Sequence, residues 1–305
     1  MSERDFIARR LAPLATSPAA RGLADDAAVW APPLGRDLVF THDVLACGVH
    51  YLATDQPSDI AWKLLAVNLS DLAAMGARPA GALLGLGLSA AEDDAWRAAF
   101  TAGLARALDH FCVALWGGDT VTGLDRAVLG LTAIGHVAPG AALPRNGATI
   151  GDDVWVSGTI GEAGLGLAVA KGEAPFDKRL LNRFLRPAPR LALGHALIGT
   201  ATACMDVSDG LLIDADRLAR ASNTCLAIDL AAVPVPPGAD PIASATAGDD
   251  YELLFTASPG ADITGIAAAA RTAVTRIGAV IPGAGARALI AGVDVTPTRL
   301  GWEHR

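Results

Sequence analysis

Six short motifs rich in acidic residues are spread along this chain of 305 residues, and they carry side chains of the type that binds divalent metal ions. The motifs are Asp25-Asp26, Asp43, Asn68-Leu69-Ser70-Asp71, Gly117-Gly118-Asp119-Thr120, Asp206-Val207-Ser208-Asp209-Gly210 and Gly248-Asp249-Asp250-Tyr251-Glu252. Hard cations take oxygen ligands, and Mg²⁺ is usually held by a few carboxylates together with substrate phosphates. The motifs therefore indicate phosphoryl-transfer chemistry.

Each motif taken alone also has a purely structural explanation. Asp26 suits a turn before a strand, Asp71 suits the polar face of a helix, and Ser208 or Asp209 suits a helix N-cap. The usual phosphate-binding sequences are absent, because the chain has no Gly-x-x-x-x-Gly-Lys-Ser/Thr loop and no protein-kinase signature. A phosphate site built on metal ions is the interpretation that these exclusions leave.

Composition limits the class of protein. Hydrophobic residues make up 52% of the chain and charged residues 18%, which allows a large buried core, and the length favours two domains. The most apolar stretch, residues 72–90, is interrupted by Arg78 and Pro79, so it is not expected to span a bilayer. The first residues lack the basic and apolar segments of a secretory signal. We expect a soluble, cytoplasmic protein with no membrane partner.

Net charge and cysteine content limit the classes of partner and metal site that are expected. The net charge of −8 argues against a nucleic-acid partner, which usually meets a basic patch. The four cysteines lie far apart in the sequence, so neither a zinc site nor a disulfide framework is expected. Isolated buried thiols are the simplest expectation for them.

Periodicity predicts a mixed α+β protein of two α/β domains, residues 1–140 and 141–305. The boundary falls in the stretch 138–151, which contains proline and glycine. In the first half, strands are expected at 37–41, 82–88 and 127–137, and helices at 58–75 and 92–111. In the second half, strands are expected at 153–157 and 252–256, and helices at 161–170 and 210–221.

In this order the motifs resemble those of the thiamine-monophosphate kinase family, within the superfamily of aminoimidazole ribonucleotide synthetase. The resemblance covers nearly the whole chain. Its most specific element is the run Asn-Leu-Ser-Asp-Leu-Ala-Ala-Met-Gly-Ala at residues 68–77, whereas Gly-Gly-Asp-Thr is shared more widely in the superfamily. Further matching segments are 25–29, 48–50, 186–190, 205–211, 248–253 and 301–304.

The resemblance implies an activity, a set of ligands and a set of residue roles. The activity is direct in-line transfer of the γ-phosphate of ATP onto thiamine monophosphate, aided by several Mg²⁺ ions. The implied metal ligands are Asp26, Thr41, His42, Asp43, Asp71, Asp119, Asp206 and Asp209, of which Asp43, Asp71, Asp119 and Asp209 are the predicted catalytic residues. Gly118, Asp119, Arg145 and Ser208 would bind ATP, and His50, Asp249 and Trp302 would bind the thiamine substrate.

The resemblance also implies a division of labour between the two halves and a homodimer. The first half would bind ATP and metal and would pair its sheet with that of a second chain, and the second half would complete the ATP and substrate site. The apolar run at 82–88 suits such an interface, but an internal core strand explains it equally well.

The physical chemistry agrees with these roles. Metal ions relieve the repulsion between two polyanions, and a phosphate acceptor is already ionised, so no strong general base is needed. Two assignments stay open. Trp302 suits stacking on a thiazolium or pyrimidine ring, or anchoring in an apolar groove. Arg145 suits a phosphate ligand or an ordinary surface arginine.

Three positions depart from the family pattern. Ala24 stands where glycine is usual in the first acidic turn, and Asp249 stands where glutamate is common. His42 stands where threonine is usual. An imidazole side chain suits transition metals better than Mg²⁺, so we favour a ligand role for His42 through its main-chain carbonyl over one through its ring.

Two alternatives compete with the kinase. The first is an enzyme of the same scaffold with another acceptor, although the chain lacks the C-terminal cysteine expected of a carbamoyl-dehydrating hydrogenase maturation factor. It also lacks the early reactive cysteine expected of a selenophosphate synthetase. The second is a degenerate binder of nucleotide or thiamine phosphate. Retention of all six candidate metal carboxylates argues against it, because clustered charge is costly without its metal.

Overall fold

A computed structural model describes residues 2–303, and the last two residues of the predicted tail, His304 and Arg305, lie outside the described part. The chain forms two compact units. Unit 1 comprises residues 1–72 and 78–140, and unit 2 comprises residues 73–77 and 141–305. Each unit combines one sheet with helices, so the predicted fold of two α/β domains of the α+β type is confirmed. The functional roles of residues 1–140 and 141–305 stay predictions.

Unit 1 begins with short helical turns and continues as strands alternating with two long helices. The opening segment contains α1 (Glu3–Phe6), a π-helical turn (Ile7–Leu11) and two 3₁₀ segments (Ala12–Leu14 and Pro18–Leu23). The main elements follow as β1 (Asp37–Ala46), α2 (Pro57–Ala74), β2 (Arg78–Ser89), α3 (Asp94–Phe111), β3 (Ala114–Leu124) and β4 (Val128–Val137).

The sheet of unit 1 has the strand order β1-β4-β2-β3. β4 runs antiparallel to both β1 and β2, and β2 runs parallel to β3. Side chains alternate between the two faces of a strand. Along β2 this alternation buries Leu84, Leu86 and Leu88 and exposes Leu83. The sheet therefore has one buried face and one open face.

The two long helices of unit 1 begin and end close to where the sequence indicates. Asp93 caps α3, because its side chain accepts a hydrogen bond from the Trp96 N–H at 2.8 Å. Cys112 follows α3 as its C-cap residue and has a left-handed backbone with φ of 54°. Cys112 is exposed and Cys47 is half-buried, so the expectation of buried thiols is wrong for these two and right for Cys204 and Cys225. The C-cap turn places Cys112 at the surface.

β3 was not predicted from the sequence. Its motif Gly117-Gly118-Asp119-Thr120 has the composition of a turn, yet it lies within a strand. A methyl group at Gly118 would lie 1.9 Å from the carbonyl oxygen of Leu84, so the strand needs glycine for the close approach of the two backbones.

Unit 2 contains a seven-stranded mixed sheet of order β11-β10-β7-β9-β5-β8-β6. Its strands are β5 (Asp153–Ser157), β6 (Ala201–Asp206), β7 (Cys225–Asp229), β8 (Leu253–Ala257), β9 (Val274–Ile281), β10 (Gly285–Ile290) and β11 (Val293–Asp294). Its helices are α4 (Glu162–Ala170), α5 (Lys178–Leu185), α6 (Leu191–Ala196), α7 (Leu211–Ala221), α8 (Pro241–Ala245) and α9 (Ile263–Ala269). Sequence reasoning found β5, β8, α4 and α7 and missed the others.

Two apolar clusters stabilise unit 2. One is centred on the inner residues of β5 and β8 with α7, and includes Val154, Leu211 and Leu254. The other includes Leu193 and Phe255. No helix among the described residues combines the length and apolar character that a membrane span requires.

Candidate active site

The inner face of β1 meets α2 through polar side chains. Thr41 and Asp43 are two residues apart on a strand and share one face, while Asn68 and Asp71 are three residues apart on one face of the helix. The Thr41 hydroxyl donates a hydrogen bond to Asp71 Oδ2. The Asp43 N–H donates one to Asn68 Oδ1 at 3.0 Å. Three predicted metal ligands, Thr41, Asp43 and Asp71, are thus close together in unit 1.

Asn68 is the residue that sequence reasoning left without a role in this group. Its side chain is fully buried, and its Nδ2 donates to the Leu64 carbonyl at 2.9 Å. That bond fixes the amide so that its oxygen faces Asp43. The sequence at 68–77 contained the signal, because residues three apart, such as Asn68 and Asp71, lie on the same face of a helix.

His42 projects on the other face of β1. Its Nδ1 lies 2.9 Å from Thr132 Oγ1 on β4, the residue directly opposite in the strand pairing. The imidazole is therefore engaged away from the face that carries Thr41 and Asp43. Because a cavity of unit 1 includes His42 together with Asp26 and Asp119, the main-chain role of His42 stays a prediction.

A cavity of about 600 Å³ lies within unit 1, next to the open face of the sheet. It brings Asp26 and Asp119 together with His42 and with Gly117 and Gly118. Apolar residues from the N-terminal segment and from β2 and β3 complete its wall: Ile7, Leu11, Ala20, Leu23, Leu83, Leu84, Leu115 and Trp116. The predicted acidic ligands of unit 1 consequently form two groups, Asp26 with Asp119 at the cavity and Thr41 with Asp43 and Asp71 at the helix.

In unit 2, the motif that follows β6 forms a turn held by a buried carboxylate. Asp206 ends β6 and is 6% exposed. The main-chain N–H groups of Ser208, Asp209 and Gly210 donate to Oδ2 of Asp214 at 3.0, 3.0 and 3.2 Å. The structural alternative for Ser208 and Asp209 is wrong, because no side chain caps the start of α7. Instead, a helix residue caps the turn.

Burial raises the pKa of Asp214 to about 6, and the N–H bond from Asp209 acts in the opposite direction. Arg217 Nη1 contacts both Asp209 Oδ2, at 2.5 Å, and Asp214 Oδ1, at 2.8 Å. Sequence reasoning gave no role to Asp214 or Arg217. The available signal was their position, one turn and two turns into α7 on the side facing Asp209.

The second acidic turn, residues 248–252, packs against the first through backbone hydrogen bonds. The N–H groups of Asp249 and Tyr251 donate to the carbonyls of Ser208 and Val207, each at 2.8 Å. Gly248, Asp249 and Tyr251 have φ angles of 80°, 63° and 50°, which is strained backbone for the two non-glycine residues. The pairing thus places Asp249, a predicted substrate ligand, beside Ser208, a predicted ATP ligand.

Asp250, between these two residues, turns toward α4. Its carboxylate accepts from the N–H groups of Gly161 at 2.7 Å and Ala163 at 3.3 Å. A carboxylate at a helix N-terminus is favourable because the free N–H groups and the helix dipole attract negative charge. Burial nevertheless raises the pKa of Asp250 to about 8.

Glu252 connects two of the motif segments, residues 248–253 and residues 186–190. Its side chain, 1% exposed, accepts hydrogen bonds from Ser157 Oγ at 2.5 Å and from Arg190 Nε at 2.6 Å. Arg183 approaches the same carboxylate at 3.4 Å. Paired in this way, the buried charge is compensated. The loop at residues 186–190 is therefore connected to the acidic turn at residues 248–252 through Arg190.

The remaining predicted site residues lie at loops and at the tail. His50 Nδ1 accepts from the Ala46 N–H at 3.1 Å, and the His50 carbonyl accepts from Lys63 Nζ at 3.1 Å. Arg145 is exposed and its carbonyl accepts from Ser222 Oγ at 3.3 Å. Trp302 is 48% exposed, with the Arg299 guanidinium 5.7 Å from its ring centroid.

The oxygen-rich donor set suits Mg²⁺. Within residues 2–303, no three His, Cys, Asp or Glu side chains are grouped tightly enough to form a metal centre by themselves. Mg²⁺ does not need such a cage, since it keeps several waters and is bound by one or two carboxylates plus substrate phosphates. The residues that would hold it are Thr41 and Asp71, which are hydrogen-bonded to each other, and Asp26 and Asp119, which line one cavity.

Comparisons with known proteins agree on one family. Residues 24–137 match the model of the AIR synthase related protein, N-terminal domain, and residues 149–283 match that of the C-terminal domain. A thiamine-monophosphate kinase from Caulobacter vibrioides is 42% identical over 319 aligned positions, covering 99% of this chain and 91% of the relative.

Solved structures give the same result. The crystal structure of thiamine-monophosphate kinase from Stenotrophomonas maltophilia is 39% identical, with a TM-score of 0.84, covering 96% of this chain and 97% of the other. A structure described as AaThiL complexed with AMPPCP and TMP is 30% identical, with a TM-score of 0.76, covering 91% and 90% of the two chains. This chain belongs to the AIR synthase related family and, within it, to the thiamine-monophosphate kinases. The resemblance inferred from the motifs is confirmed.

Proposed function

We propose that this protein is an enzyme that transfers the γ-phosphoryl group of ATP to thiamine monophosphate, giving thiamine diphosphate and ADP. The observation that carries the proposal is the full-length similarity to thiamine-monophosphate kinases. The 30% identical AaThiL structure, described as complexed with AMPPCP and TMP, supports ATP and thiamine monophosphate as the two substrates.

Transfer between two phosphate groups needs positioning and charge compensation more than acid–base chemistry. The acceptor is a phosphate oxygen that is ionised near neutral pH, so the site requires no strong base. The acidic groups at β1, α2, β3 and β6 and the absence of a base among the proposed roles fit that demand. The donor and acceptor oxygens would lie in line with the transferred phosphorus.

Mg²⁺ is the metal that this donor set fits, and several ions are part of the proposal. The residues that would hold them are Asp26, Thr41, His42 through its carbonyl, Asp43, Asp71, Asp119, Asp206 and Asp209. When bound, Mg²⁺ neutralises phosphate charge and orients the reacting oxygens.

The remaining roles follow from chemical type and position. Gly118 lies next to Asp119 where β3 lines the cavity, and its main chain would contact the phosphate chain there. Ser208 and Arg145 supply a hydroxyl and a guanidinium suited to phosphate oxygens. His50, Asp249 and Trp302 would contact the thiamine end, where the indole suits stacking on a cationic ring.

A homodimer formed through the open face of the unit 1 sheet is part of the proposal. This face exposes apolar side chains on three strands, including Phe40 at 63%, Val44 at 42% and Val128 at 40%. Contiguous exposed apolar surface typically marks an interaction site. A Phe40→Asp variant should sediment as a monomer while the wild type sediments as a dimer, and equal sedimentation of the two would remove this face from the interface.

A cytoplasmic location is consistent with four cysteines that form no disulfide.

A chromatographic product assay tests the function directly. Purified protein is incubated with ATP, Mg²⁺ and thiamine monophosphate, beside reactions with free thiamine and reactions without metal. We expect thiamine diphosphate with equimolar ADP, from the monophosphate alone and only with metal. ADP release without thiamine diphosphate would indicate another acceptor, and nucleotide binding without any turnover would indicate a degenerate binder.

A further inference from the structure

The carboxylate of Asp209 belongs to a closed set of contacts within unit 2. Asp214 Oδ2 receives the three main-chain N–H groups of residues 208–210 at 3.0 to 3.2 Å. Asp214 Oδ1 contacts Arg217 Nη1 at 2.8 Å, and the same nitrogen contacts Asp209 Oδ2 at 2.5 Å. Contacts through Arg217 and Asp214 therefore connect the side chain of Asp209 to its own main-chain N–H.

The burial of these groups indicates that the arrangement is stable. Asp214 is 0% exposed, whereas the side chain of Arg217 is 39% exposed and that of Asp209 is 24% exposed. A buried carboxylate is costly unless it is paired and hydrogen-bonded. Asp214 has an ion-pair partner and three hydrogen-bond donors, so its position is fixed. It contacts Arg217, and Arg217 in turn contacts the carboxylate of Asp209.

We propose that Asp214 and Arg217 are positioning residues that fix the orientation of the Asp209 carboxylate for metal binding. Arg217 occupies Oδ2, and we assign the other oxygen, Oδ1, to the metal. This inference rests on the proposed function, because it takes Asp209 as a ligand of the phosphoryl-transfer site. Neither residue is expected to contact substrate.

The proposal has a physical basis in how metal sites are built. A ligating carboxylate is commonly hydrogen-bonded by a neighbouring group, and loss of that neighbour typically lowers metal affinity about 10- to 100-fold. Arg217 meets both carboxylates through one nitrogen, so a lysine ammonium at that point can replace it in part. A neutral side chain cannot.

The test measures metal binding directly on the full-length protein. Mn²⁺ is titrated and its free fraction is read by electron paramagnetic resonance, with and without AMPPCP. Arg217→Gln should weaken Mn²⁺ binding about 10-fold, and Arg217→Lys should recover most of the affinity. The matched control is Arg220→Gln on the same helix, which removes an exposed guanidinium paired with Asp216 and should bind Mn²⁺ as the wild type does.

The outcomes separate this inference from the proposed function. Equal Mn²⁺ affinity in Arg217→Gln and wild type would overturn the positioning role even where the product assay succeeds. Failure of the product assay, with weakened Mn²⁺ binding in Arg217→Gln, would overturn the assigned reaction and leave the positioning role supported. A wild type that binds no Mn²⁺ in either condition would overturn the inference together with the metal part of the proposed function.

Asp214→Asn provides a second arm. An asparagine keeps one acceptor oxygen but loses the charge that pairs with Arg217, so it should weaken Mn²⁺ binding about 10-fold. The control is Asp216→Asn, which carries the same change two residues away. If Asp214→Asn does not fold, as judged by its thermal unfolding, the Arg217 variants decide the question.

Discussion

The main-chain N–H of Trp302 donates a hydrogen bond to the carbonyl oxygen of Asp209, with a nitrogen-to-oxygen distance of 2.9 Å. The preceding residue must be glycine, because a Cβ atom at Gly301 would lie 2.5 Å from that same oxygen and 2.4 Å from Ile213. The tail is thus anchored through its backbone while the indole stays 48% exposed. This favours ligand contact over burial in an apolar groove as the role of the ring.

Replacing Trp302 should therefore affect one substrate more than the other. Trp302→Ala should raise the KM for thiamine monophosphate about 10-fold, within the range of a cation–π contact, and change the KM for ATP much less. Steady-state kinetics with each substrate varied in turn measures the difference. Trp302→Phe keeps an aromatic face and should be intermediate. Equal effects on both substrates would count against stacking on thiamine.

Asp71 is predicted to be required for turnover. Its carboxylate accepts a hydrogen bond from the Thr41 hydroxyl, and Asn68 on the same face of α2 accepts one from the Asp43 N–H. Asp71→Asn removes the charge with little change in shape, and it should reduce kcat about 100-fold or more, as loss of a charge-stabilising group commonly does. The measurement is the initial rate of thiamine diphosphate formation as Mg²⁺ is varied.

A matched control for that change lies on α3. Asp109→Asn removes an exposed carboxylate near the end of the helix, and its rate should equal that of the wild type. Thermal unfolding of both variants checks that each is folded. Near-normal turnover of folded Asp71→Asn would remove Asp71 from the site.

His42→Thr tests how the unusual residue contributes. The imidazole of His42 contacts Thr132 on the face of β1 away from Thr41 and Asp43. If the contribution is through the main chain, the substitution should leave the ratio of Mg²⁺-supported to Mn²⁺-supported rates within about 2-fold of the wild type, since imidazole is the ligand that would favour a transition metal. A marked shift of that ratio toward Mg²⁺ would show that the ring binds metal.

The sequence allowed the two long helices and three of the four sheet strands of unit 1 to be located, and periodic burial is the signal in α3 and in those strands. α3 shows this well, with Phe100, Leu104 and Leu108 buried at helical spacing. β3 was missed because Gly117 and Gly118 together suggest a turn, whereas the structure shows that Gly118 is needed for the close approach of β3 to Leu84. A contact between strands that are distant in sequence leaves no local pattern.

The candidate site shows the same limit. The acidic motifs gave the candidate residues, because the spacing typical of the family is visible in the sequence. The contacts that orient them were not visible, because Asp214 reaches back to a turn and Asp250 reaches across to α4. Such contacts depend on tertiary packing, which propensity and periodicity do not encode.

Asp250 leads to a prediction on pH. Burial raises its pKa from 3.8 to about 8 in the folded protein, while the unfolded chain keeps the ordinary aspartate value. Between these pH values the folded state holds a proton that the unfolded state has released, so rising pH favours unfolding. The groups that face Asp250 are the N–H groups of Gly161 and Ala163, which favour ionisation, and the carboxylates of Glu252 and Asp249, which oppose it.

The contribution of Asp250 to the free energy of unfolding should thus fall by at most about 1.4 kcal/mol per pH unit between the two pKa values, and level off as the pH passes the folded-state pKa of about 8. Asp250→Asn removes the titrating group and keeps an acceptor oxygen for the Gly161 N–H. Urea unfolding of both proteins between pH 5 and 8 measures the difference. The asparagine variant should gain stability relative to the wild type as pH rises, because only the wild type must ionise a buried carboxyl. Parallel stability curves for the two proteins would show that Asp250 is already ionised at pH 5.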